Sequence, residues 1–203
     1  MVAYIFDNIL AKGVRAGQIP ARTTSARDWF RDAAKSTFTS GPAVISTSKG
    51  KAVRSVEVGN MYLFNYDPKH KKTLPFYDRF PLIFMIGGAP GGFMGINMHY
   101  LPLTLRAKLM DALYDLSTDS RYDENTRLRV SYNLLKRAAK YNAFKPCVKH
   151  YLGNHVKSSF IKIDAAEWDI ALFLPLQRFV KASKEVVYAD SRKSIYMRDK
   201  YGL

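Results

Sequence analysis

Cys147 lies between Lys145 and Lys149 and three residues before His150, so a thiol, two cations and an imidazole share one short segment. That positive field would favour a thiolate nucleophile. No carboxylate is spaced to orient a catalytic base, however, and a small buried apolar residue is the simpler reading of the cysteine. His99, His150 and His155 carry metal-ligating nitrogens, but His150 and His155 are five apart across Gly153, with no second thiol or carboxylate close in sequence. The spacing is not a ligand motif, and neither a metal nor another cofactor is expected. The GGAPGG run at 87–92 is glycine-rich like a phosphate cradle, yet it lacks the Lys-Ser/Thr ending of a P-loop and joins two strand-like runs. It reads as a hairpin turn. Asp67, Asp78 and Asp111 form no spaced carboxylate pair, and Asp67 before Pro68 is ordinary turn chemistry. The expectation is a protein that is not an enzyme and has no small-molecule substrate.

Charge points elsewhere. The chain carries 32 Lys and Arg against 17 Asp and Glu, a net +15, and such an excess attracts phosphate backbones, anionic membranes or acidic protein surfaces. From Asn125 to Ile163 there are basic residues and no acid, interleaved with Tyr132, Tyr141, Phe144, Tyr151 and Phe160. Lys136, Arg137, Lys140, Lys145, Lys149 and Lys157 are the candidate phosphate contacts, and the aromatics could stack on exposed bases. A second signal is the set of aromatics in segments of weak periodicity. Tyr4, Phe6, Trp29, Phe30 and Tyr196 are the candidate protein-interface residues, together with the KHKK turn at 69–72 and the basic C-terminal segment.

These groups must be positioned by a fold, and the pattern of apolar residues outlines one. MYLFNY alternates, PLIFMI is a continuous buried-strand run, and GFMGINMHYL resumes after the glycine turn. Leu101, Leu105, Leu109, Ala112, Leu113 and Leu116 recur at helical spacing, a second helix is expected over 126–141, and Trp168, Ala171, Leu172 and Leu174 build a third that stops at Pro175. Ser25 and Asp28 look like the start of a further helix carrying Trp29 and Phe30, and Asp164 with Glu167 is another cap pair. Residues 36–55 read as a loop with a short strand at AVIS. The expected class is α+β: a small, bent antiparallel sheet over 56–101, either open or closed like a barrel, packed by three to four helices. The expected organisation is an N-terminal arm at 1–23, a single domain at 24–180 and a basic tail at 181–203. The single cysteine excludes an intrachain disulfide. No run approaches the roughly 18 to 20 apolar residues of a membrane span, and the N-terminus lacks a basic leader before an apolar segment, so a soluble protein without membrane contact or export signal is expected.

The blocks GNMYLFNYDPKHKKTLPFYDRFPLIFMI, GFMGINMHYLPLTLRAKLMDALYDL, FKPCVKHYL and EWDIALFLP, with the opening YIFDNIL and IPARTTSARDWFRDAAK, resemble a virion morphogenesis family of T4-like tailed bacteriophages, especially those of marine bacteria and cyanobacteria. The resemblance spans most of the chain and is weakest over 36–55. It implies a non-enzymatic protein of the virion, assembled in the host cytoplasm among other virion proteins. Two roles are compatible with it. The first is a structural part of the contractile tail or baseplate, favoured by the dispersed aromatics and distributed charge. The alternative is a DNA-binding head-completion or DNA-end-protecting protein at the packaged genome terminus, for which the +15 charge and the acid-free stretch speak, with double-stranded DNA as partner.

Overall fold

The alternation at 61–66 sets the architecture, because successive side chains of a strand face opposite sides. In the computed structural model, which describes residues 4–19, 23–117, 133 and 142–201, Met61 and Leu63 enter one buried cluster while Tyr62 and Phe64 enter another. Leu82 and Phe84 against Ile83 and Met85 repeat the split one strand away. The sheet is therefore buried on both faces, one packed by helices and the other filled mainly by its own aromatic rings. In that second cluster Phe64 meets Tyr66, Phe93, Tyr151 and Phe160 edge-on, with centroids 5.1–6.2 Å apart.

Among the described residues eight strands follow in chain order: β1 (Ala52–Val53), β2 (Met61–Leu63), β3 (Tyr77–Asp78), β4 (Leu82–Ala89), β5 (Gly92–Asn97), β6 (Val148–Leu152), β7 (Phe160–Ile163) and β8 (Phe179–Val180). Six make one antiparallel sheet in the order β1-β7-β2-β4-β5-β6, and β3 and β8 form a separate two-stranded ribbon. The class is α+β as expected, but the sheet is open: β1 and β6 are its two edges, and the barrel-like alternative is corrected. Nor is the sheet confined to 56–101. Its central strands are flanked by β7 and β6, whose short mixed runs give no period of their own. β4 and β5 form the expected hairpin, with Pro90 and Gly91 at the turn and Gly91 at φ 71°, as a Pro-Gly turn requires. A Cβ on Gly92 would run into the Tyr151 carbonyl, so glycine there is what lets β6 pair with β5.

Six α-helices are described: α1 (Ile5–Arg15), α2 (Thr24–Lys35), α3 (Gly41–Thr47), α4 (Leu103–Ser117), α5 (Trp168–Phe173) and α6 (Lys184–Tyr201). None is long and apolar enough to cross a membrane. α1 contains Gly13 without breaking, because Gly13 packs where a Cβ would collide with the Phe30 ring of α2. The α2 cap is Thr23, whose hydroxyl accepts from Ala26 N–H at 3.1 Å, rather than Ser25. α3 replaces the strand expected at AVIS: Ser40 and Pro42 at its start suit a helix. Asp164 and Glu167 do form a capping box ahead of α5. The helix expected over 126–141 lies outside the described residues.

A fully buried guanidinium ties the helical layer together. Arg106 of α4 donates to the carbonyls of Leu101 (2.8 Å), Leu172 (2.8 Å) and His99 (3.1 Å) and to the Tyr188 hydroxyl of α6 (2.7 Å). Burial lowers its pKa from the usual arginine value, while its four acceptors replace water.

Candidate functional site

The β3/β8 ribbon is anchored by one carboxylate. Asp78 is 3% exposed, and its Oδ1 accepts from the backbone N–H groups of Phe80 (3.1 Å) and Arg178 (3.2 Å). Its Oδ2 accepts from the Asn97 side-chain amide at 3.2 Å and lies 2.6 Å from His99 Nδ1. Burial alone would raise this carboxyl, but the neighbouring His99 and the donated hydrogen bonds hold it below the usual range. Burial in turn lowers His99, so the ring is neutral and donates Nδ1–H to Asp78. Asn97 also donates to the Tyr151 hydroxyl at 3.1 Å, and its Oδ1 accepts from His99 N–H. The network locks ribbon, β5, β6 and the 98–100 turn into one unit.

Beside this hub opens a cleft of about 460 Å³, within the usual range for ligand sites. Its walls are aromatic: Tyr66, Phe76, Tyr77, Tyr100 and Tyr151. Lys69, His70, Lys149 and His150 stand on its rim. Lys149 Nζ sits 4.2 Å over the Tyr100 ring, and burial lowers its pKa against the opposing fields of Cys147 and Asp190. A smaller depression of about 140 Å³ shares Phe76, Tyr100 and Lys149 with the cleft and adds Lys145 and one acid, Asp190, so the two adjoin along one groove. Lys181 Nζ pins the KHKK turn against the ribbon by donating to the carbonyls of Lys72 (2.8 Å) and Leu74 (3.0 Å). Lys71 is engaged with Asp67 at 2.8 Å, which leaves Lys69 and His70 facing the cleft.

Much of the acid of the chain lies away from this groove. On α2, α4 and α5, Arg31 reaches Asp169 and Asp111 at 2.8 Å each, and Arg27 reaches Asp111 and Asp115 at 3.1 Å each. These contacts pair the arginines of α2 with acids of α4 and α5, so those carboxylates do not offset the cations of the groove.

The structure distributes the sequence-predicted residues as follows. Lys145 and Lys149 line the groove, and Lys157 is exposed on the loop after β6, outside it. Lys136, Arg137 and Lys140 lie outside the described residues, as does the side chain of Tyr196. Phe6 and Phe30 are enclosed in the chain's own core, while Tyr4 and Trp29 are half-buried against it. The segment read as an arm holds α1, which packs on α2. Cys147 is buried and its thiol is pushed up to about 12, mainly by burial, so it stays protonated near neutral pH. His155 Nδ1 meets the Asp67 carbonyl at 2.8 Å, His150 is exposed on the cleft rim, and His99 belongs to the Asp78 hub. Sequence reasoning missed Phe76, Tyr77, Tyr100 and Tyr66 as cleft walls. The signal available was the aromatic spacing around the two prolines of LPFYDRFP.

The family model described as phage T4 terminal DNA protecting protein matches residues 4–196, and the chain belongs to that family. No curated protein and no solved structure matches it. The match agrees with the T4-like phage resemblance, and it backs the genome-terminus role in place of the tail and baseplate role favoured from the sequence.

Proposed function

We propose that this member of the phage T4 terminal DNA protecting protein family binds the ends of duplex DNA and covers them, with the groove between the KHKK turn, the β3/β8 ribbon and β6 as the contact. The observation that carries the reading is the pairing of an aromatic-walled cleft with a cationic rim. A base inside a duplex is stacked on both sides; at an end it offers an open face, or frays out as a short single strand. A cleft of about 460 Å³ is too small for a duplex and suited to a terminal nucleotide, so the shape itself selects ends. Base–aromatic stacking contributes roughly 1–3 kcal/mol per base and tolerates any sequence. Lys69, Lys145 and Lys149 would meet flanking phosphates and make affinity salt-dependent. The protein acts by occupancy and without catalysis, on DNA in the virion.

The test is binding of the purified protein to a blunt linear duplex and to the same duplex closed by a hairpin loop at each end, over a salt series. Tighter binding of the open duplex that persists near physiological salt is expected, with Lys145→Gln plus Lys149→Gln lowering the salt slope by about 1 to 2. Equal affinity for both DNAs would overturn the reading. A specific observation favours an accompanying protein contact: Phe38 is fully exposed beside a groove lined by Ile9, Trp29 and Ala33, a surface suited to holding the protein on the particle.

A further inference from the structure

A second cavity, of about 530 Å³, adjoins the same ribbon. Arg79 and Arg178 line it, with Asn65 and Ser159, and no carboxylate does. Arg79 N–H donates to the Arg178 carbonyl at 2.9 Å, extending the β3/β8 register by one pair, so the two arginines are direct cross-strand neighbours. Like charges placed so are destabilising unless something between them is negative. Among the described residues neither guanidinium makes a hydrogen bond or ion pair. Asp67, the acid whose field connects to Arg79, is already held by Lys71. Ser46 and Ser158 also line the cavity, but their hydroxyl protons go to the Ala43 and Ser159 carbonyls. What remains are donors without acceptors: two guanidinium forks, the Asn65 amide and the Ser159 hydroxyl.

We propose that this cavity is a phosphate site and that its occupant is the terminal phosphomonoester of a DNA strand. The proposal rests on the DNA-end reading above and adds what the end must carry. A phosphomonoester bears close to two negative charges and three acceptor oxygens, which matches two forked cations better than an internal diester with its single charge does. Position agrees. Tyr66 and Asp78 line the aromatic cleft, while their chain neighbours Asn65 and Arg79 line this cavity. A strand end that follows the ribbon by one residue step therefore passes from base-stacking surface to phosphate donors. Asp78, by accepting from Arg178 N–H, fixes the backbone from which one of the two forks projects.

The experiment uses one blunt duplex prepared with 5′-phosphate, 3′-phosphate or hydroxyl ends, and its hairpin-closed counterpart, against the full chain, against Arg79→Gln with Arg178→Gln, and against a control losing two charges elsewhere, Lys12→Gln with Lys108→Gln. Arg79 and Arg178 are exposed and their backbone bonds survive the change, so the variant folds; circular dichroism checks this. One phosphorylated duplex is expected to bind about 10- to 100-fold more tightly than the hydroxyl-ended one, a margin set by charge-assisted hydrogen bonds. Which one it is identifies the strand polarity. The arginine variant should lose this margin and still prefer the hydroxyl-ended duplex to the closed one, while the lysine control keeps the margin. Equal binding of all three open duplexes, or a margin that survives the arginine variant, would overturn the phosphate site and leave end binding standing. Indifference between open and closed DNA would overturn both.

Discussion

Replacing Asp78 by Asn tests whether one carboxylate holds the ribbon between the two cavities. The native carboxylate accepts from four donors: Phe80 N–H, Arg178 N–H, the Asn97 amide and His99 Nδ1. An asparagine keeps the shape but converts one acceptor oxygen into a donor. If that amide replaces Oδ2, His99 can adapt by moving its proton to Nε2, but the Asn97 amide then faces another donor. Asn97 can escape only by flipping, which breaks the bond its Oδ1 accepts from His99 N–H and the one its amide donates to Tyr151. If the amide replaces Oδ1 instead, two backbone donors lose their acceptor. Each buried group left unpaired costs about 1–3 kcal/mol, and losing the charge weakens the remaining bonds, so a total of about 3 kcal/mol is expected. Urea unfolding followed by circular dichroism should show it: with a slope near 2 kcal/mol/M, the midpoint at pH 7 falls by roughly 1 to 2 M. A pH series supplies the sign. Because the folded carboxyl titrates below its unfolded value near 3.9, its stabilisation is fully present above about pH 4 and is lost as pH falls through the folded value. The variant should therefore lack that part of the wild-type acid loss. His99 adds a dependence of the same sign, since a buried neutral ring loses stability as pH falls below about 6.5, and it extends to lower pH in the variant, whose ring has lost the Asp78 charge that opposes burial. A midpoint within a few tenths of a molar of wild type would refute the hub.

Arg106→Leu should cost about 3 kcal/mol or more, because the carbonyls of Leu101, Leu172 and His99 lose their donor inside the core, and thermal unfolding will read it as a large fall in Tm. Arg106→Lys should recover only part, since one ammonium cannot span four acceptors. Phe38→Glu should leave stability and DNA-end affinity unchanged while reducing copurification with phage particles; undiminished particle association would remove Phe38 from the proposed protein contact.

What could be read from the sequence, and what could not, follows from the range of the interactions involved. The alternation at 61–66 and the run at 81–86 are local signals, and both became strands with the faces their periods imply. Helices α4 and α5 were legible for the same reason, through the leucines of 101–116 and the stop at Pro175. The β4/β5 hairpin was legible through its glycine turn, but the distant partners of those strands were not. β7 pairs with β2 across about a hundred residues, and FIKI carries no feature that names MYL as its neighbour. The same limit hid the site. FYDRF between Pro75 and Pro81 reads as an edge segment or an irregular crossing, and it becomes a ribbon only because FV at 179–180 returns to pair with it. Once paired, the local order Tyr77-Asp78-Arg79 acquires meaning: alternation turns Asp78 to the buried side as the hub, between Tyr77 in the cleft wall and Arg79 in the second cavity. The charge argument meets the same limit. Counting Lys and Arg along 125–163 found Lys145 and Lys149, but Arg79 and Arg178 lie a hundred residues apart and meet only through the fold. A basic stretch in sequence records where cations are made; which of them lack an acid partner is decided by tertiary pairing, as the Arg27 and Arg31 network on the helical side shows. Lys69, Lys149, Arg79 and Arg178 stand around the ribbon that Asp78 holds, so a single buried carboxylate shapes the two surfaces on which the proposed DNA-end contact rests.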